Sequence, residues 1–230
     1  MKNSPIGRPG MRGGPPIITL FTDFGVADTF VGVMRGVILG ICPGAQIVDM
    51  GHDAARFDPV AAGFALAAAV GYFPAGTVHV VVVDPGVGGS RRPLVVRSDG
   101  HLFVAPDNGV LAWVLAGARR VEVRHLVNPR FMRPTISATF HGRDVFAPAA
   151  AHLACGAPFA RVGPRIRDAV LPRLPRPVSG PGPVLRIPPG ARHTAWPKGD
   201  EVVLNVDVFA PARSDYLFLT NHQDDEFVKT

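Results

Sequence analysis

The residues whose types and spacing are best suited to chemistry follow a run of four valines. Asp84 comes directly after residues 80–83, and a glycine-rich turn then leads to Arg91 and Arg92. An unbroken β-branched run predicts a buried strand, and open α/β sheets bind ligands at the carboxyl ends of such strands. The pattern therefore predicts a carboxylate and a guanidinium at a binding site. The alternative is an ordinary strand exit with a surface salt bridge.

A second carboxylate stands at the end of an earlier apolar segment. Residues 17–21 predict a short strand, and Asp23 follows it closely. A carboxylate at that place is suited to accept hydrogen bonds from a ribose diol, as in dinucleotide-binding folds. A role as an N-cap or turn residue fits the same side chain equally well.

Two later segments carry polar side chains next to glycines. His141 and Arg143 flank a glycine just before an alanine-rich segment, whereas Asn108 lies in the turn signal Ala-Pro-Asp-Asn-Gly. A lone histidine is more often structural than functional, and the Asn108 segment by itself indicates only a turn. His52 and Asp53 form another polar pair, which could simply end a strand.

Alternating strand and helix signals must position these residues. The pattern predicts strands at 17–21, 46–50, 77–83 and 121–124, a hairpin of 94–97 with 102–105, and helices at 29–41, 58–72, 110–115 and 146–153. Asp58 is the expected N-cap of the second helix. This alternation indicates an α/β fold, with a layered N-terminal domain around a mainly parallel central sheet.

The chain divides into four predicted parts. Residues 1–15 are rich in Gly, Pro and Arg and are expected to be disordered, whereas residues 16–166 should form the α/β domain that binds the ligand. Residues 167–198 are dense in proline, which predicts a linker. Residues 199–230 are expected to form a short, truncated, β-rich C-terminal domain.

Composition and charge limit the class of protein. Of 230 residues, 47% are hydrophobic, yet no apolar run could span a bilayer and no signal-peptide core occurs near the start. We therefore expect a cytoplasmic protein without membrane contact. The net charge of +6 invites nucleic-acid binding, but the arginines are scattered and no aromatic-interleaved basic stripe occurs, which argues against it. Cys42 and Cys155 lack metal-ligand spacing and are predicted to be buried free thiols.

Five motifs occur in an order that is more specific than any one of them, namely FTDFG, ICPG, VDPGVGGSRR, APDNG and FHGRDVFAPAAAHLA. Across residues 17–166 the chain resembles the S-adenosyl-L-methionine (SAM) hydroxide adenosyltransferase family, relatives of the fluorinase and chlorinase enzymes. The resemblance implies hydrolysis of SAM to adenosine and L-methionine by SN2 attack of water or hydroxide at C5′. It also implies that SAM is the substrate, that no metal or cofactor is used, and that the protein is a homotrimer.

The resemblance further implies a catalytic set. The family's Asp, Arg and His correspond to Asp84, Arg91 and His141, and fluorinases carry other residues at the aspartate and histidine positions, which favours water over halide as nucleophile. Arg91 would hold Asp84 ionised and fixed. Either Asp84 or His141 would take the proton from the water. Asp84 could instead stabilise the cationic sulfonium electrostatically.

Substrate-binding residues are implied in the same way. Asp23 would bind the ribose hydroxyls and Phe57 would pack against the sugar or base, with Asn108 and Arg143 as further contacts. Asp207 would bind the methionine amine. Relatives commonly have Asp-x-Phe-Gly-Asn at this last position, whereas Asp207 is followed here by Val-Phe-Ala-Pro, so the C-terminal part departs from the family pattern.

Two alternatives stay open at this point. The chain could be a non-catalytic relative that binds adenosine or SAM with an incomplete C-terminal domain. It could also be a metal-dependent phosphohydrolase that uses Asp23, His52, Asp84 and His141, in which case a chelator would abolish activity.

Overall fold

A seven-stranded sheet forms the centre of residues 14–174, the part of the chain that the computed structural model describes. Its strands in chain order are β1 (Ile17–Thr22), β2 (Gln46–Gly51), β3 (Val78–Val82), β4 (Pro93–Ser98), β5 (His101–Pro106), β6 (Val121–His125) and β7 (Arg165–Ile166). The helices are α1 (Phe30–Ile41), α2 (Pro59–Val70), α3 (Ala112–Ala116) and α4 (Ala147–Ala154). A π-helical turn, Gly142–Phe146, leads directly into α4.

The strand order is β2-β1-β3-β5-β4-β6-β7. The first four strands in this order are parallel to one another. β4 is antiparallel to β5 and β6, and β7 is antiparallel to β6. All strands except β4 and β7 therefore run in one direction, which confirms the α/β fold with a mainly parallel sheet. The chain passes from β1 outward to β2 and then returns past β1 to β3. The sheet thus has its topological switch point between β1 and β3, where open α/β sheets bind ligands.

Helices cover both faces of the sheet. Val78, Val80 and Val82 pack in one core cluster with residues of α1 and α4, whereas Val81 and Val83 pack in a second cluster with residues of α2 and α3. This burial on both faces explains why β3 reads as a continuous apolar run instead of an alternating one. In the described part of the chain, no helix is both long and apolar enough to cross a membrane.

Cys42 and Cys155 form a disulfide, so the prediction of free thiols is wrong. Cys42 follows the end of α1 and Cys155 follows the end of α4. Because both helices pack on the same face of the sheet, their last turns bring the two Cα atoms to 5.9 Å, although 113 residues separate the cysteines in sequence. Cys155 is exposed rather than buried.

Several predictions concern residues outside the described part of the chain. These are most of the disordered segment expected at 1–15, most of the linker expected at 167–198, the β-rich domain expected at 199–230, and Asp207.

Candidate active site

The end of β3 delivers a buried carboxylate to an arginine. Asp84 follows β3 by two residues, and the glycine-rich turn brings Arg91 back beside it. Arg91 Nε donates to Asp84 Oδ1 at 2.9 Å, and Arg91 Nη2 contacts Asp84 Oδ2. The Asp84 side chain is only 4% exposed, and the Arg91 side chain is 9% exposed. The pair is therefore buried, unlike a surface salt bridge, and its paired donors match the two carboxylate oxygens.

His141 completes this cluster from another part of the chain. The same Arg91 Nη2 lies 2.7 Å from His141 Nδ1, although 50 residues separate the two side chains. Burial, together with the Arg91 charge, lowers the pKa of His141 below its usual value, while the negative charges of Asp84 and Asp144 oppose the shift. The ring is therefore neutral at pH 7. Since arginine only donates hydrogen bonds, Nδ1 must accept here, and the ring proton lies on Nε2.

Backbone contact between two loops keeps the cluster together. Gly88, in the turn between Asp84 and Arg91, has a φ of +75°. A Cβ atom at this position would collide with the carbonyl oxygen of Ala138, three residues before His141. Only glycine meets both requirements without strain, because it tolerates positive φ and lets a neighbouring backbone approach closely.

Asp23 lies at the same edge of the sheet, after the neighbouring strand β1. Its Oδ2 accepts a hydrogen bond from the backbone N–H of Phe57 at 3.2 Å. Phe57 has a φ of +57° and is 74% exposed. The structure thus brings these two predicted binding residues together, with the aromatic ring of Phe57 open to a ligand.

The side chains of Asn108 and Arg143 are engaged within the protein. Asn108 Nδ2 donates to the carbonyl oxygen of Val83 at 2.8 Å, so it fixes the residue that precedes Asp84. Arg143 makes two hydrogen bonds to the Asp144 carboxylate, of 2.7 and 2.8 Å, and its guanidinium lies over the ring of Phe140. Both residues therefore contact the loops that surround the cluster.

Comparison with known proteins identifies the family. The model of the SAM hydroxide adenosyltransferase N-terminal domain matches residues 18–163. The chain belongs to the SAM hydroxide adenosyltransferase family. The (R)-S-adenosyl-L-methionine hydrolase of Salinispora arenicola is 44% identical over 167 residues, which cover 72% of this chain and 64% of that protein. A fluorinase from Actinoplanes sp. is a more distant relative, 28% identical over 187 residues that cover 71% of this chain and 63% of the fluorinase.

A solved structure shares the fold of this family member. The crystal structure of an uncharacterized conserved protein from Thermotoga maritima aligns with a TM-score of 0.67 and 42% sequence identity, covering 70% of this chain and 64% of the other. The chain thus spans about 64% of the length of the curated relatives that it matches first.

Sequence reasoning missed two acidic residues of this SAM hydroxide adenosyltransferase domain. Asp144 is fully buried, and Asp107 is 6% exposed and accepts a hydrogen bond from Arg92 Nε at 2.8 Å. Arg92 also binds Asp168 at 3.0 Å, so the start of the segment predicted as a linker is tied to the sheet edge. Asp144 lies in a mostly apolar segment, which predicts that the segment is buried. A buried carboxylate needs hydrogen-bond or charge partners, so its position could have indicated a structural role.

Of the residues of the metal-dependent alternative, Asp84 and His141 both contact Arg91, whereas His52 is engaged by other side chains. His52 Nδ1 lies 3.0 Å from Thr22 Oγ1, and its Nε2 lies 3.1 Å from Asp49 Oδ1. Within residues 14–174, no group of three or more His, Cys, Asp or Glu side chains is arranged to hold a metal ion.

Proposed function

We propose that this protein hydrolyses SAM to adenosine and L-methionine. The observation that carries the proposal is the part-buried contact of Arg91 with both Asp84 and His141 at the switch point of the sheet. Four curated relatives at 39–44% identity are named (R)-S-adenosyl-L-methionine hydrolase, which supports SAM as the substrate. Their name specifies the R form at the sulfonium centre, and we extend that preference to this chain.

The reaction needs little beyond correct placement of water. Its oxygen forms a bond to C5′ while the C5′–S bond breaks, and the sulfonium sulfur takes the bonding electrons and leaves as the neutral thioether of methionine. One proton of the water must be removed, which leaves the 5′-hydroxyl of adenosine. Alignment of the water opposite the leaving sulfur is the main task of the site, and such positioning can supply several kcal/mol, roughly 7 or more in well-oriented systems.

Asp84 is the better placed of the two candidate proton acceptors. His141 Nδ1 already accepts from Arg91, and the remaining ring nitrogen carries the proton. Each oxygen of Asp84 contacts one donor of Arg91, which leaves a second lone pair on each oxygen for a water molecule. We therefore assign the proton to Asp84, whose negative charge also stabilises the sulfonium, and we assign the orientation of the water to His141.

The substrate's adenosine half is assigned to the neighbouring strand end. Asp23 uses one oxygen for the Phe57 N–H, which leaves acceptor capacity for the two ribose hydroxyls. The exposed ring of Phe57 offers a flat apolar surface to the sugar or base. Asn108 and Arg143 support the loops that line this site, and Asp207, outside the described residues, stays a predicted contact of the methionine amine.

No cofactor or metal is part of this proposal, because a sulfonium departs readily as a neutral thioether without Lewis-acid assistance. A homotrimer is also proposed. Two apolar side chains that follow Asp23 closely in sequence, Val26 and Phe30, are 75% and 43% exposed. Exposed apolar side chains in one segment favour a partner surface, here another copy of the chain. Location in the cytoplasm stays a prediction.

Chromatography of the purified protein incubated with each sulfonium epimer of SAM tests the proposal. We expect adenosine and methionine in equal amounts from the R epimer, with and without a chelator, and much less of both products from the S epimer. The His141→Ala variant should lose this activity, whereas His152→Ala, a matched change within α4, should keep it. Bound adenosine without turnover would support the non-catalytic alternative, and loss of activity with the chelator would support a metal-dependent hydrolase.

A further inference from the structure

Asp144 is a buried carboxylate for which the proposed chemistry has no direct use. It lies in the π-helical turn that precedes α4 and is fully buried. Arg143 donates to both of its oxygens, and Arg133 Nε lies 3.5 Å from Oδ1. Burial alone would raise the pKa of Asp144, but the Arg143 hydrogen bonds and the Ser137 N–H hold it below its ordinary value. The carboxylate is therefore ionised and fully paired.

Its contacts close the loop that carries His141. The Ser137 N–H donates to Asp144 Oδ2 at 2.8 Å, and the Arg133 N–H donates to the Asp144 carbonyl oxygen at 2.9 Å. The Asp144 N–H in turn donates to the carbonyl oxygen of Phe140 at 3.2 Å. Asp144 thus fixes the loop before His141 at its beginning, its middle and its end.

The end of this loop leads directly to His141. Phe140, whose carbonyl oxygen accepts from the Asp144 N–H, is the residue before His141. Ser137, which Asp144 holds, precedes Ala138, whose carbonyl oxygen faces Gly88. The backbone before His141 is therefore held by Asp144, while Arg91 Nη2 contacts the ring at Nδ1.

We infer that Asp144 is a positioning residue for the hydrolysis proposed above, acting on His141 through the loop of residues 133–140 that it holds. The inference rests on the proposed function for its catalytic consequence, although the geometric part stands independently. By fixing this loop, Asp144 holds the His141 ring in the orientation in which Nδ1 accepts from Arg91 and the proton stays on Nε2. Asp84 then remains the group that is free to receive the proton of the water.

Asp144→Asn tests the catalytic consequence, because it keeps the shape of the side chain and removes its charge. We expect kcat to fall by about 10- to 100-fold with KM changed less than about threefold, since a small displacement of a catalytic group costs rates of this size. Asp99→Asn is the matched control. Asp99 also accepts two backbone N–H groups, from Arg119 and Arg120, but it lies in the β4–β5 turn at the opposite edge of the sheet. This control should leave kcat and KM unchanged.

Histidine-selective ¹⁵N NMR tests the geometric part without any substrate. The His141 signals, assigned by their loss in His141→Ala, should show a single Nε2–H form in the wild-type chain and in Asp99→Asn. In Asp144→Asn they should shift or show both tautomers. If these signals and kcat are both unchanged in Asp144→Asn, Asp144 does not position His141. If no variant or wild-type protein hydrolyses SAM while the NMR shift occurs, the proposed function fails and the positioning role stands.

Hydrogen exchange in the unmodified protein decides the question if Asp144→Asn does not fold. The Ser137 amide is hydrogen-bonded to a buried carboxylate and should exchange much more slowly than its neighbours in the loop. An unprotected Ser137 amide in the wild-type chain would overturn the inference.

Discussion

Arg91 is the residue that joins the other two members of the candidate catalytic cluster. Its guanidinium presents donors in a fixed plane, which lets one side chain contact both Asp84 oxygens and His141 Nδ1. Lysine carries the same charge, but its single ammonium group lies at the end of a flexible chain and cannot present donors in a fixed plane. The geometry of the cluster therefore depends on arginine specifically and not only on a positive charge.

Arg91→Lys should lower kcat by about 100-fold, because positioning of Asp84 and His141 is lost together while the charge is kept. The adjacent Arg92→Lys is a matched control, since Arg92 pairs with Asp107 and Asp168 and does not contact the cluster. It should keep kcat within about threefold of the wild type. Steady-state kinetics of both variants checks this prediction. An equal loss of kcat in the two variants would show that the cluster does not depend on the guanidinium group of Arg91.

Asp84 and Asp23 have different proposed roles and should give different kinetic defects. Asp84→Asn removes the proton acceptor, so kcat should fall by about 100-fold or more while SAM still binds. Asp23→Asn weakens the acceptor for the ribose diol, so the dissociation constant for adenosine should rise by about 10-fold, as for a hydrogen bond to a charged group.

Calorimetric titration of adenosine together with kinetics separates the two variants. Weak binding in Asp84→Asn with normal binding in Asp23→Asn would reverse the assignment of the two carboxylates.

At the scale of elements, strand and helix signals in the sequence predict most of the described fold. The valine run, the Ser-Asp-Gly hairpin and the capped helix at Asp58 each occur where the pattern indicates, and Asp58 accepts from the N–H groups of Val60 and Ala61. These signals are local, because a buried strand, a tight turn and an N-cap each depend on adjacent residues. The placement of Asp23 and Asp84 at one sheet edge follows from them.

The features that the sequence did not predict depend on distant residues. The π-helical turn Gly142–Phe146 precedes the helix that the sequence predicts at 146–153, and the short strand β7 exists only because β6 offers it an edge. The contact of Arg91 with His141 was expected only from the family resemblance. The disulfide arises from packing of α1 against α4, which no spacing of two cysteines reveals.

The Cys42–Cys155 disulfide should stabilise the domain without affecting the site, because it joins the C-terminal ends of α1 and α4 while His141 precedes α4. Cys155→Ser, which changes the exposed partner, should lower the free energy of unfolding by about 2–4 kcal/mol, the usual contribution of a bond that closes a long loop. Denaturant unfolding with and without a reductant measures this. The reductant should destabilise the wild type by a similar amount and the variant no further; an unaffected wild type would mean that the bond does not contribute.

Across the whole domain, the two ends of the parallel strands carry different polar side chains. The carboxyl ends hold the Asp84–Arg91 pair, whereas a pair of histidines lies toward the amino ends of β3 and β5. His79, on β3, is fully buried, with Nδ1 2.8 Å from Thr19 Oγ1 and Nε2 3.2 Å from His101 Nδ1. Its ring stacks on Phe103 with 4.9 Å between centroids. Burial, and then the neighbouring His101, lower the pKa of His79 to about 3.

This buried histidine should make the folded state less stable in mild acid. Unfolded His79 takes up a proton below its ordinary pKa of 6.5, whereas the folded ring stays neutral until about pH 3. The contribution of His79 to the free energy of unfolding is therefore fully present above pH 6.5. It decreases as the pH falls from 6.5 toward about 3, and the loss is about 2 kcal/mol at pH 5 from this group alone. His79→Phe, which keeps an aromatic ring against Phe103, should remove that part of the decline between pH 7 and pH 5. His125→Phe, at a half-buried position on β6, should keep most of it. Denaturant unfolding at both pH values compares the three proteins, and an equally steep decline in His79→Phe would place the acid sensitivity elsewhere in the domain.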